Sequence, residues 1–383
     1  MALKISQRGQ SVPGFLALRI LADALEMRAR GEDVIGMSAG QPVKGAPERV
    51  LRQAAEALLT KPMGYTDALG LPELRDAIVA YYERRYHQKV DRRRVVVTTG
   101  SSGAFIMSFL GAFDAGDKIA MAAPCYPAYR NILLALNLVP VELPSTHEER
   151  YQPTVERLEA LPEKPAGLII ASPANPSGTL LDMAELKKLS EYCKMHGIRL
   201  VSDEIYHGVT YDREGVTALA VTDEAVVINS FSKYFSCTGW RLGWMVVPED
   251  MVEVSTALAQ NLFISPPTLS QHVGIASLAD TTEVDGYVQE YKRNRDLLFR
   301  ELPHCGFGQL SQVEGGFYIY ADVGGLTNDS VSFCQQMLKD IKVAMTPGVD
   351  FDPVRGNRTV RISFAGAHDD IVRALERMRG WRK

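Results

Sequence analysis

Between residues 230 and 244 the chain reads SFSKYFSCTGWRLGW, which sets Lys233 beside Ser232 and places Arg241 eight residues further on. The apolar run AVVIN leads into it, so the lysine falls where a buried strand should run out. An amine that loses solvent there has a lowered pKa and becomes a nucleophile toward carbonyl carbon. Three other polar groups follow apolar runs. Gly100-Ser101-Ser102-Gly103 comes after VVVTT and opens AFIMSFLGAF, so backbone N–H groups at a helix start face whatever anion docks there; the plain alternative is an ordinary turn and cap. Asn175, in PANPSG after GLIIAS, is equally suited to an Asx turn or to a ligand. Asp203 and Tyr206, in DEIY after IRLVS, offer a carboxylate and a phenol, and a helix cap is the plain role for the aspartate.

These groups need a scaffold that lays several strand ends side by side. VVVTT (95–99), KIAMAA (118–123), LVPVEL (138–143), GLIIAS (167–172), IRLVSD (198–203), AVVINS (225–230) and LGWMVV (242–247) predict strands, near-continuously apolar and therefore buried on both faces. Amphipathic stretches lie between them. In 182–196, Asp182 and Glu185 form a capping-box pair, Leu186, Leu189 and Cys193 repeat on one face, and Gly197 closes the helix. Alternating strands and helices predict an α/β domain over 45–285, with a mostly parallel central sheet flanked by helices. GGFYIYADV (315–323), KVAMTPG (342–348) and TVRISFA (359–365), with helices near 330–340 and 367–381, read as a βαβ-like tail and predict a smaller α+β domain over 286–383. The amphipathic segment LALRILADALEMRAR (16–30), within an arm over 1–44, is expected to pack with that domain. A chain of 383 residues has room for both.

In an open parallel sheet, ligands gather beyond the carboxyl ends of the strands. The ends here offer an anion cup, an amide, a carboxylate with a phenol, and a lysine. Pyridoxal 5′-phosphate needs that set: its phosphate wants the cup, its ring nitrogen a carboxylate, its phenolic oxygen neutral donors and its aldehyde an amine. Moreover, SFSK followed by GWRLGW, together with SPANPSGT, VSDEIY, PCYPAY, GYTDALGLPELR and VRISFA, resembles the class I/II aminotransferases of the fold type I pyridoxal-phosphate enzymes. The resembling motifs run from residue 36 to residue 365.

The resemblance implies a ping-pong transfer of an amino group from an L-amino acid to a 2-oxo acid. Lys233 would be the Schiff-base lysine and the base of the proton shift, while Ser101, Ser102, Ser230 and Arg241 would hold the phosphate. Asp203 would keep the ring nitrogen protonated, Asn175 and Tyr206 would bond the phenolic oxygen, and Tyr126 would stack on the ring. Arg361, in VRISFA, would fork onto the substrate α-carboxylate, with Asn175 and the Gly40 backbone beside it. Tyr65, in GYTDALG, corresponds to the tyrosine lent to the neighbouring subunit's phosphate, which implies a homodimer with shared sites.

Two features depart from the family pattern. Cys237 stands where a larger apolar residue is usual, a swap that a buried thiol tolerates. Ser102 stands where one aspartate-aminotransferase subgroup carries a lysine for a distal carboxylate, and GQPVKGAP lacks the acidic and aromatic pair usual after its proline, so the side-chain pocket stays unassigned. A β- or γ-eliminating lyase on the same scaffold is the alternative. An effector-sensing regulator needs a DNA-binding module, for which the roughly 40 residues before the main motifs are too few. A net charge of -4 without a basic tail argues against nucleic acid. No window approaches the ~20 apolar residues of a membrane span, and no signal-peptide pattern opens the chain. Five scattered cysteines without a C-x-x-C pair argue against disulfides and zinc, so a metal-free cytoplasmic enzyme is expected.

Overall fold

The computed structural model describes residues 3–381. All the expected strands of the main sheet form: β1 (Val95–Thr98), β2 (Lys118–Ala123), β3 (Val139–Pro144), β4 (Gly167–Ala171), β5 (Arg199–Asp203), β6 (Val226–Ser230) and β7 (Gly243–Val246). They make one seven-stranded sheet in the order β1-β7-β6-β5-β4-β2-β3. β7 runs antiparallel to both neighbours, and the other pairs are parallel. The link between β6 and β7 doubles back and pairs Ser230 with Gly243, which holds Lys233 and Arg241 at one end of the sheet. Since β1 is antiparallel to β7, it points the same way as β6, and the carboxyl ends of β1, β4, β5 and β6 share one edge. β5 and β6 are buried along nearly their whole length, as continuous apolarity requires, whereas the edge strand β3 is partly exposed.

The lysine turn is anchored in the core. Phe231 packs on Phe235 and on Trp244, each at 5.0 Å between ring centroids. Each fully buried ring contributes about 1.5–3 kcal/mol of transfer free energy. Three helices border the site, α1 (Leu16–Ala29), α2 (Gly100–Ala112) and α3 (Pro127–Ala135), while α4 (Met183–Met195) lies between β4 and β5 in the chain. α4 starts with the expected reciprocal cap, the Glu185 N–H donating to Asp182 Oδ1 at 2.8 Å and the Asp182 N–H to Glu185 Oε2 at 2.7 Å. Gly197 follows it at φ +64°.

The C-terminal strands β8 (Tyr318–Asp322), β9 (Thr346–Pro347) and β10 (Thr359–Ser363) form an antiparallel sheet in the order β9-β10-β8. The βαβ-like reading of this segment is therefore corrected. After the helix Ser330–Ile341, Val343–Ala344 pairs in parallel with Ile35–Gly36 of the N-terminal segment, and β10 returns antiparallel to β8. α1 packs beside β9 and buries Ile20 and Ala24. The helix Thr282–Glu301 runs across the boundary expected at 285/286. Among the described residues, no helix is long and apolar enough to cross a membrane.

Candidate active site

The shared strand edge borders a cavity of about 280 Å³, walled on its other sides by α1 and by Asp350, Phe351 and Arg361. Lys233 enters it from beyond β6, its Nζ donating to the Gly40 carbonyl at 2.6 Å. Desolvation by burial pushes its pKa down to about 8; the Arg361 and Arg241 guanidiniums act in the same direction and Asp203 opposes them. Asp203 ends β5. Its Oδ1 accepts the Ile205 N–H at 3.1 Å and its Oδ2 accepts the Tyr129 hydroxyl. Burial outweighs both bonds and pushes the carboxyl up to about 6. The Tyr206 hydroxyl lies 2.8 Å from that of Tyr318.

Arg361 of β10 is only 4% exposed. Its Nη1 donates to Asn175 Oδ1 at 3.0 Å and its Nη2 to the Ser38 carbonyl at 2.6 Å, while its buried Nε has no partner among the described residues. The guanidinium carbon stands 4.3 Å from the Tyr318 ring centroid and 4.7 Å from that of Phe351. With Oδ1 of Asn175 so engaged, the amide's donor end is left for a ligand. Gly40 is required sterically, because a Cβ there would sit 2.1 Å from the Tyr318 hydroxyl.

At the opposite end α2 begins, with Ser101 and Ser102 in its first turn lining the cavity. Gly100 adopts φ +71°, and a Cβ on it would lie 2.7 Å from Arg241 Nη2. Arg241 itself has φ +50°, a left-handed backbone that is uncommon outside glycine, and its Nη1 donates to the Thr238 carbonyl at 3.1 Å. Helix N–H groups and a guanidinium thus form one anion cup. Tyr126, the N-cap residue of α3, also lines the cavity, and burial raises its hydroxyl to about 12.

Lys233, Arg241 and Arg361 face this cavity against the carboxylates of Asp203 and Asp350, and Asp350 accepts the backbone N–H groups of Leu16 and Ala17. The excess of cationic groups suits an anionic ligand, with the cup at one end and the unpartnered Arg361 Nε at the other. The residues present fit pyridoxal phosphate.

Ser230 and Tyr65 lie outside this wall. Ser230 is buried behind it, with Oγ 3.2 Å from the Leu242 carbonyl and 3.0 Å from Ser232 Oγ, and Ser232 is the hydroxyl that lines the cavity. Tyr65 is 83% exposed on the outer surface of its own chain. Sequence reasoning missed Tyr129, Tyr318, Ser38 and Phe15. Tyr129 had a signal, lying three residues after Tyr126 within PCYPAY and therefore about one helical turn on. Tyr318 belongs to the alternating run FYIYAD, whereas nothing local marks Ser38 or Phe15.

An amine beyond a central strand, a buried carboxylate on the next strand and an anion cup at a helix start, on a seven-stranded sheet of this order, define a pyridoxal-phosphate enzyme of fold type I. The sequence profile of the family "Aminotransferase class I and II" matches residues 32–378. Valine–pyruvate aminotransferase of Mycobacterium tuberculosis is 46% identical over 374 residues, covering 97% of this chain and 96% of that protein. Aspartate aminotransferase of Geobacillus stearothermophilus is 30% identical over 390 residues, covering 98% of each. The crystal structure of an aminotransferase from Mycobacterium tuberculosis matches with a TM-score of 0.97 at 45% identity, covering 99% of both chains. The chain belongs to the class I and II aminotransferases. It is a pyridoxal-phosphate-dependent transaminase, and amino-group transfer prevails over the eliminating alternative.

Proposed function

We propose that this transaminase takes its amino group from an aliphatic L-amino acid and delivers it to a short 2-oxo acid such as pyruvate, in two half-reactions at one site. The donor reading is supported by the valine–pyruvate aminotransferase, 46% identical over nearly the whole chain. The residue roles rest on one observation, the single cavity that holds Lys233, Asp203, Arg361, Ser101 and Ser102 together.

Pyridoxal phosphate, when bound, supplies a carbonyl carbon for the amino nitrogen and a ring that takes up the electron pair released at Cα. Lys233 would hold the cofactor through Nζ, and that same nitrogen would carry the Cα proton. Asp203, oriented by the Tyr129 hydroxyl and the Ile205 N–H, holds a proton on the ring nitrogen. Asn175 and Tyr206 would serve the phenolic oxygen and Tyr126 would lie against the ring, all three lining the same cavity. The Ser101 and Ser102 amides, the Ser230 hydroxyl and Arg241 would hold the phosphate, with Ser232 bonded to Ser230 Oγ on the cavity wall. Arg361 receives the substrate α-carboxylate through a two-pronged contact, and the Gly40 segment closes over it.

The working unit is a homodimer in which Tyr65 reaches the phosphate of the other copy. Exposed Leu58, Leu59 and Met63 precede it in the chain and supply apolar surface for a second copy to cover. Within each subunit, an arm over 1–44, a cofactor domain over 45–285 and a small domain over 286–383 share the work.

Single half-reactions with a panel of amino acids test this reading. L-valine or L-alanine should convert the cofactor to its amino form, with one 2-oxo acid formed per site and no ammonia. Ammonia release, or no conversion by any amino acid, overturns it.

A further inference from the structure

We propose that the start of α1 and the carboxylate that caps it form the specificity wall of this site: Phe15, Leu18 and Leu21 receive an apolar substrate side chain, and Asp350 turns away a side chain carrying a second carboxylate. The proposal rests on the amino-transfer reading above and on Arg361 holding the α-carboxylate.

α1 cannot cap itself, because Phe15 at its N-cap has no side-chain acceptor. The acceptor comes from 334 residues away: the Leu16 N–H donates to Asp350 Oδ1 at 3.1 Å and the Ala17 N–H to Oδ2 at 2.9 Å. A second attachment is made by Phe15, whose ring lies nearly parallel to that of Tyr126, at 13° and 6.2 Å between centroids. The helix start is thereby tied to the turn Gly348–Asp350 that follows β9 on one side and to α3 on the other.

Residues 15, 18 and 21 recur at three-residue intervals, so they share a helix face, and all three line the cavity. The cavity's lining cations are Lys233, Arg241 and Arg361, and each already has a role. Among the described residues of one subunit, this wall offers no further guanidinium or amine for a distal carboxylate, whereas the Asp350 carboxylate lies on it. In a partly dry cavity an unpaired like charge discriminates far more strongly than a missing methylene. The volume of about 280 Å³ is also at the small end for ligand sites, which favours a short side chain once the cofactor is in place.

The test compares kcat/KM of the holoenzyme for L-valine and L-aspartate in the first half-reaction. The wild-type ratio should favour valine by about a hundredfold or more. Asp350→Asn removes the charge but keeps one acceptor oxygen for the cap, and the ratio should fall by at least about tenfold. Leu18→Lys leaves the cap untouched and should lower the ratio comparably, so it carries the test if Asp350→Asn does not fold. Cofactor absorbance and Tm identify folded variants. A wild type that prefers aspartate, or folded variants whose ratio stays within about twofold of wild type, would overturn the specificity wall. A wild type that converts neither these amino acids nor alanine would instead sink the amino-transfer reading itself.

Discussion

Lys233 lies near two guanidiniums and one carboxylate in a largely buried setting, so its amine is neutral over more of the working pH range than a surface lysine. We expect the apoenzyme to capture pyridoxal phosphate at a rate that rises with pH and levels off above about 8. Borohydride should then fix the label to the peptide containing Ser232-Lys233-Tyr234, and label on another lysine would refute the assignment. The sign for stability follows from the same shift. The folded pKa lies below the ordinary 10.5, so between about 8 and 10.5 the unfolded chain binds more protons and this group makes the apoenzyme more stable as pH rises. Asp203 supplies a second prediction. Asp203→Asn should still bind cofactor but lose transamination by roughly a thousandfold or more, because an amide does not keep the ring nitrogen protonated. A loss below about tenfold, or ~1.4 kcal/mol of barrier, would reduce Asp203 to a support for the Ile205 backbone. Lys233 and Asp203 were both legible as strand-end residues, whereas the bond that Tyr129 donates to Asp203 across 74 residues was not.

At the scale of elements, the start of α2 and the excursion between β6 and β7 must fit together. Gly100 at φ +71° lets Arg241 approach the first turn of α2. Gly100→Ala sets a methyl 2.7 Å from Arg241 Nη2 and adds left-handed strain of about 1–2 kcal/mol. Weaker cofactor retention on dialysis is the expected outcome, with a modest drop in Tm. Retention equal to wild type would show that the cup is not the phosphate site. The strands of the main sheet were legible because each is a near-continuous apolar run, and α4 because Asp182 and Glu185 are local partners. The pairing of Ile35–Gly36 with Val343–Ala344 was not, since two residues carry no period and the partner lies some 308 positions away. For the same reason, the pattern of β8 and β10 predicted strands but not their antiparallel neighbours.

For the whole molecule, the exposed Tyr65 and the composite site proposed for it make a prediction about subunits. Tyr65→Phe should weaken cofactor retention, and Lys233→Ala should abolish transfer. Mixing the two after mild denaturation should rebuild activity above the sum of the parents, because one site of each hybrid dimer then carries neither defect. A monomer by sedimentation at working concentration, or no recovery in proven hybrids, would contradict shared sites.

The sequence by itself determined which segments form the main sheet's strands, that a lysine follows the end of one and an aspartate ends another, and which cofactor such a set suits. Those are properties of consecutive residues: unbroken apolarity, capping spacing and the residue types at a strand's end. Only the tertiary structure decided who meets whom: Arg361 with Asn175 across 186 residues, Tyr206 with Tyr318 across 112, and Asp350 with the start of α1 across 334. It also decided the chemistry of the groups named in advance. An amine at about 8 and a carboxyl at about 6 follow from desolvation, with neighbouring charges and hydrogen bonds adjusting each; these surroundings come from chain segments far apart in sequence, so no local window of residues encodes them.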